Sequence, residues 1–411
     1  MIPFKNGFAI FCPFNIIVDL IILLANPLNP KRDTNKNERV LIMQGGGSLG
    51  AYECGVYKAF TKHNIRFDIV AGTSIGAVNA AIIVGSNDSD PSRNLEEFWL
   101  TVAEKTIPSF IPDKLRSELS VIYGFVYGNK NIFQPRWSFP PEILYYYFNS
   151  PFLYDIKPLK ETLTKFVNFD KINEWYRSQS SSGSAARIEK AAERREHPPR
   201  LIMTCTDIKK GESVRFDSDR TEIDAGQVIA CTGYPFYAVS WVEKNGQYLW
   251  DGSLLSNTPL KEVYRASPST SKLVYIANLF PKTQTDLPSN LFGAWHRARD
   301  ILFSDKTTES RALDTSKVLS KCMNLIRQTL DLLGNNDGNN DMRQIISQIE
   351  EEYQEIVSHQ GLIVEDMIQV ERTERIHYLF EDADFSFLTI KELIRQGEAD
   401  AEKVLREKTP S

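Results

Sequence analysis

RVLIMQGGGSLGAYECGVYKAFTKHNIRFDIVAGTSIGAVNAAIIVG, residues 39–85, is the stretch whose pattern fixes the fold class. VLIMQ (40–44) is a short apolar strand that breaks into GGGSLG (45–50), and AYECGVYKAFTKH (51–63) follows as a helix. IRFDIVAG (65–72) reads as a second strand, TSIG as a tight turn and AVNAAIIVG as a second helix. Strand, glycine loop, helix, strand, tight turn, helix is the opening of an α/β protein with a parallel sheet.

Two loops in this stretch have chemical potential. Gly72-Thr73-Ser74-Ile75-Gly76 is a GxSxG pentapeptide entered by an apolar run and left by a helical one, which is the setting a nucleophile elbow requires. Ser74 would stand at a helix N-terminus, where the helix dipole favours negative charge developing on Oγ. A plain turn with an N-cap serine explains the same residues. The second loop, Gly45-Gly46-Gly47-Ser48-Leu49-Gly50, fits GxGxxG through Gly45, Gly47 and Gly50. A dinucleotide site would need an acidic residue at the far end of the second strand. Asp68 is the nearest candidate, but it begins that apolar run rather than ending it. The other reading is an oxyanion hole, since consecutive glycines before a helix present free backbone N–H groups to an anion.

A serine nucleophile needs a base. The five histidines, His63, His197, His296, His359 and His377, have no recognisable triad context, and His63 reads as a helix cap. Asp251, in YLWDGSLLSNTPL (248–260), ends an apolar segment and would hold a carboxylate at a strand end; an ordinary Asp-Gly turn is the alternative.

Taken together, QGGGSLGAYECGVYKAF, GTSIGAVNA, LIMTCTDIKKGE, VIACTGYPFYAV and LWDGSLLSNTPL resemble the patatin-like phospholipase family over roughly residues 39–262. The resemblance implies a three-layer α/β/α sandwich with a mainly parallel central sheet. It also implies a helical C-terminal extension of the kind seen in bacterial members. It implies a serine acyl hydrolase that cleaves fatty-acyl esters through a Ser–Asp dyad, in keeping with the lack of a triad histidine. By that resemblance Ser74 is the nucleophile and Asp251 the general base. Gly45, Gly46 and Gly47 form the oxyanion hole, and Gly50, Gly72, Gly76 and Gly252 are motif glycines. No metal or organic cofactor is implied, and the partner is a lipid or phospholipid. A lipid-binding protein that keeps the fold without the chemistry is the alternative.

The remainder of the 411 residues divides by composition. Lys plus Arg total 48 against 53 Asp plus Glu, a net charge of −5, which gives no global reason to bind nucleic acid. Five scattered cysteines without a CxxC pair speak against a zinc site and fit a reducing, cytoplasmic setting. Residues 1–38 comprise an apolar segment, Phe8 to Ala25, and a polar linker. Pro13, Asn15 and Asp19 make that segment a poor membrane span. A packed or interfacial helix, a span and an unordered leader are its three readings; the first would give membrane association. Residues 107–176 are aromatic-rich, with 17 Phe, Tyr or Trp in residues 110–176, and are expected to form a lid, a pocket wall or core. Residues 177–200 read as a solvent loop. Residues 263–411 form the extension, with LVYIANLF (273–280) as a buried strand, an α-hairpin across residues 318–356 and a last helix over residues 389–405.

Overall fold

A computed structural model describes residues 38–108, 110–180, 197–267, 272–284, 287–304, 364–373 and 380–408. The apolar stretch 8–25, the α-hairpin at 318–356, most of the 177–200 loop, Cys12, Cys322, His359 and His377 lie outside them.

The strands are β1 (Glu38–Met43), β2 (Ile69–Thr73), β3 (Gln134–Pro135), β4 (Tyr154–Asp155), β5 (Arg200–Asp207) and β6 (Glu212–Asp217). They continue with β7 (Val242–Lys244), β8 (Gln247–Asp251), β9 (Lys272–Asn278) and β10 (Val364–Glu371). The helices begin with α1 (Gly50–Lys62), α2 (Ile75–Val84), α3 (Pro91–Val102), α4 (Asp113–Tyr127), α5 (Ile143–Asn149) and α6 (Lys157–Phe166). The others are α7 (Phe169–Ser180), α8 (Ala225–Ala230), α9 (Leu260–Ala266), α10 (Leu291–Phe303) and α11 (Phe387–Lys408).

The main sheet runs β10-β9-β1-β2-β5-β8-β7, with β6 also paired to β5. β10, β9, β1, β2 and β5 are mutually parallel; β6 and β8 join β5 antiparallel, as does β7 to β8. The sheet is therefore mainly parallel, as expected. Its central strands are apolar on both faces because helices cover both. Leu41, Met43, Val70 and Met203 point into the larger core with α1, α2 and α3. Val40, Ile42, Ile69 and Ala71 alternate to the other face and meet Leu260, Val263 and Ala266 of α9.

Several boundaries differ from the sequence reading. The second strand begins at Ile69, not at residue 65. Its neighbour Asp68 accepts the Arg39 amide on its side chain, Oδ2 at 2.8 Å, while its own amide donates to the Arg39 carbonyl at 2.8 Å. The last helix is longer than residues 389–405, running Phe387–Lys408. Residues 177–180 belong to α7 rather than to a loop.

The expected division after residue 262 does not coincide with a break in the sheet. β9 pairs with β1 over Glu38↔Lys272 to Met43↔Ala277, and β10 extends the sheet beyond β9. α11 docks on α1: Tyr52 donates to Asp400 Oδ2 at 3.0 Å, and His63 Nε2 meets Glu402 Oε2 at 2.9 Å. Long-range pairing of this kind leaves no local trace in a sequence. Among the described residues no helix is long and apolar enough to cross a membrane.

Candidate active site

β1 and β2 are adjacent and parallel, so the loops that follow them leave the same sheet edge. Crevices at the carboxyl ends of parallel strands are where α/β proteins bind ligands. Ser74 follows β2 as the residue before α2, at φ 55° and ψ −126°. A non-glycine residue in that region is strained, by about 1–3 kcal/mol, and persists only when its surroundings impose it. Those surroundings are visible. A Cβ at Gly76 would lie 2.4 Å from the Met43 carbonyl oxygen, so α2 can start tight against β1 only with glycine there. Beneath Ser74, Thr73 Oγ1 bonds Thr204 Oγ1 at 2.8 Å, tying β2 to β5.

Asp251 is the last residue of β8, opposite Cys205 on β5, and its side chain is buried. Ser253 donates both its amide and its hydroxyl to Asp251 Oδ1 at 2.8 Å. Burial pushes the Asp251 carboxyl up to about 6, against the lowering effect of the Ser74 hydroxyl and the two Ser253 bonds. Ser74 and Asp251 line the same cavity, and Asp251 Oδ2 is buried with no hydrogen-bond partner among the described residues.

The glycine loop lies across from Ser74. Gly47 has φ +55° and packs so closely on the turn at Glu381–Ala383 that a Cβ would sit 2.1 Å from the Asp382 carbonyl oxygen. The Gly45 amide is an exception to the expected oxyanion set, because it donates to Asn257 Oδ1 at 2.9 Å. Gly46 and Gly47 are the glycines of the loop whose N–H groups remain candidates for an anion. Asn257 Nδ2 donates back to the Gly45 carbonyl and to Phe303, both at 3.1 Å. Gln44 binds Thr258 Oγ1 through Nε2 at 2.8 Å and accepts from the Leu279 amide at 2.9 Å. Its own amide donates to Glu53 Oε1 at 2.6 Å, and Asn79 donates to Glu53 Oε2 at 2.9 Å. Burial holds the Glu53 carboxyl well above its usual range despite those bonds. Nothing in the sequence alone marks Asn257, Glu53 or Asn79 for a role. Their common signal, a polar side chain buried to satisfy loop backbone, needs a fold before it can be seen.

Gly45, Gly46, Gly47, Ser74 and Asp251 line one cavity. Its remaining walls are largely apolar, including Val121, Phe125, Ile132, Phe133, Tyr154 and Leu159 from the aromatic-rich segment. That segment is divided in use: Trp137 and Phe166 are buried, whereas Tyr145, Tyr147 and Phe148 of α5 are exposed. Among the described residues no histidine lines the cavity. His296 is buried beside Asp300 and Glu381, and His197 lies near Glu174. Asp68 sits before β2, at the sheet edge opposite Ser74, where a ribose-binding carboxylate could not reach the glycine loop. Among the described residues no group of three or more His, Cys, Asp or Glu is arranged to hold a metal ion.

The sequence model of the patatin-like phospholipase family matches residues 41–264. The chain belongs to the patatin-like phospholipase family. It is similar to a patatin-like phospholipase domain-containing protein of Coccidioides immitis (strain RS), at 40% identity over 63 residues. Those residues are 15% of this chain and span 9% of that relative's length. Among solved structures it is similar to VipD from Legionella pneumophila, at 13% identity and a TM-score of 0.36, covering 90% of this chain and 67% of that one. It is also similar to human GIVD cytosolic phospholipase A2 in complex with methyl gamma-linolenyl fluorophosphonate, at 13% identity and a TM-score of 0.31. That match covers 68% of this chain and 46% of the other. The region matched by the patatin-like phospholipase model ends before β9, so β9, β10, α10 and α11 are parts of this fold that lie outside it.

Proposed function

We propose that the protein is a serine acyl hydrolase of lipid esters, with Ser74 as nucleophile and Asp251 as general base. The observation that carries this reading is a serine held at φ 55° before α2 that shares one cavity with a buried carboxyl, Asp251, whose pKa burial raises to about 6. A base of that pKa is ionised at neutral pH and still basic enough to accept a proton. The apolar cavity above the pair suits an acyl chain.

In the first step the Ser74 Oγ–H proton passes to Asp251 as Oγ bonds to the ester carbonyl carbon. The Gly46 and Gly47 amides receive the oxyanion, each donor worth about 2.7–4 kcal/mol in comparable sites. The tetrahedral species collapses, the alcohol leaves with the proton from Asp251, and an acyl-serine remains. Water then loses a proton to Asp251 and attacks the acyl carbon; the bond to Ser74 breaks, Oγ regains the proton, and a fatty acid is released. The scheme uses no metal or organic cofactor. The catalytic unit in this reading extends beyond residue 262, because β9 and the Glu381–Ala383 turn support the glycine loop.

Hydrolysis of a short-chain p-nitrophenyl ester, then release of fatty acid from phosphatidylcholine vesicles, tests the proposal. Ser74→Ala and Asp251→Asn should each lower turnover at least about a hundredfold. Turnover that survives both changes would contradict it. Vesicle binding without hydrolysis of any ester would favour a lipid-binding protein of the same fold.

A further inference from the structure

The glycine loop is held from a part of the chain more than 300 residues away in sequence. Ser48 Oγ donates to the Glu381 carbonyl at 3.0 Å, and Gly47 lies flat against Asp382. Asp382 also lines the cavity that contains Ser74 and Asp251. No basic side chain directly follows the glycines, where Ser48 and Leu49 stand. A carboxylate at this position opposes an oxyanion forming on the Gly46–Gly47 amides, unless its charge is cancelled.

The cancelling group is on α10. Arg299 Nη1 donates to Asp382 Oδ1 at 2.8 Å, and Nη2 donates to Glu381 Oε1 at 3.0 Å and to Asp300 Oδ1 at 2.9 Å. Its guanidinium lies 5.3 Å from the centroid of the Phe280 ring, a wall of the same cavity. Tyr237 donates to the other oxygen, Asp382 Oδ2, at 2.6 Å. Arg372, at the end of β10, completes the brace by donating to Glu381 Oε1 at 2.8 Å and to the Leu279 carbonyl at 2.7 Å. Burial opposes both the Glu381 and the Arg299 charges. Even so, Arg372, His296 and Arg299 hold Glu381 below the usual carboxylate range, and the three carboxylates hold Arg299 charged.

We infer that Arg299 is a positioning residue for acyl transfer: it fixes the Glu381–Asp382 turn that shapes the Gly47 amide, and it neutralises the one carboxylate of that turn facing the cavity. The inference rests on the acyl-hydrolase reading. It separates the arginine from its partner by sign. Removing the guanidinium exposes the Asp382 charge to the oxyanion, whereas removing the Asp382 charge relieves it.

The test compares wild type, Ser74→Ala, Arg299→Met, Arg299→Lys, Asp382→Asn and the Arg299→Met/Asp382→Asn double variant on a soluble p-nitrophenyl ester, with Tm measured for each. Arg299→Met should lower kcat about tenfold, with KM changed less than about twofold, because the loss falls on the transition state. Arg299→Lys should keep part of the rate. Asp382→Asn should raise kcat, and the double variant should recover most of the Arg299→Met loss. Equal losses in Arg299→Met and Asp382→Asn that follow their Tm values would overturn the inference, as would an Arg299→Met enzyme with unchanged kcat. If Arg299→Met does not fold, the sign of the Asp382→Asn effect decides, and a fall contradicts the inference. Wild-type turnover that is absent, or that survives Ser74→Ala, overturns the acyl-hydrolase reading and this inference with it. Ser74-dependent turnover with the wrong signs overturns this inference alone.

Discussion

Gly45 has no room for a side chain because Ser74 stands against it: a Cβ there would meet Ser74 Cβ at 2.7 Å. The same Cβ would meet Asn257 Oδ1 at 2.7 Å, whereas one at Gly47 would meet backbone, the Asp382 oxygen at 2.1 Å. Side chains yield more readily than backbone, and Gly47 also needs φ +55°. Gly45→Ala is therefore expected to cut turnover at least about tenfold while costing about 1–2 kcal/mol of stability. Gly47→Ala should cost at least about 3 kcal/mol and abolish turnover. Urea melts with ester assays check the order; equal stability losses would contradict it.

Asp251 predicts a conflict between stability and activity. Its carboxyl rises from 3.8 to about 6 on burial, so the folded state binds the proton more tightly than the unfolded chain. The stability this gives is complete below the unfolded pKa and is lost as pH climbs through about 6. Asp251→Asn removes that loss while keeping an acceptor for Ser253. It should gain on wild type between about pH 4 and pH 7, by up to about 3 kcal/mol. Denaturation at the two pH values measures the gap; a gap independent of pH would oppose the assignment.

The same group sets the rate profile. Asp251 must be ionised to accept the Ser74 proton, so kcat/KM should rise with pH to a plateau above about 6. A profile flat from pH 5 to pH 8 on a soluble ester would remove Asp251 from the role of base.

Asn257 holds three buried backbone groups, the Gly45 amide and carbonyl and the Phe303 carbonyl. Asn257→Leu keeps the branched shape of the side chain and orphans all three, at about 1–3 kcal/mol for each group that water cannot reach. A Tm drop together with a turnover loss of at least about tenfold is expected. A stable, fully active Asn257→Leu protein would show that the loop holds its own shape.

Much of this site is legible from residues 39–85 alone. Apolar runs broken by GGGSLG and GTSIG place two loops at one sheet edge, because a parallel sheet admits no other arrangement of adjacent β1 and β2. Asp251 is legible as a strand-end carboxylate, but its burial and raised pKa depend on β5 lying opposite. Asn257 and Glu53 are silent in the sequence, since a polar residue announces no role until the backbone group it serves is known. The continuation of the sheet past residue 262 is hidden for a related reason. β9 is readable as a strand, yet its place beside β1 is a pairing across more than 200 residues that local patterning does not encode.

The most direct measurement is covalent labelling of the intact protein with a long-chain alkyl fluorophosphonate, read by mass and peptide mapping. A single adduct on Ser74 is predicted, absent in Ser74→Ala and formed at least about a hundredfold more slowly in Asp251→Asn. Labelling at any other residue, or a Ser74 rate indifferent to Asp251, would contradict the dyad.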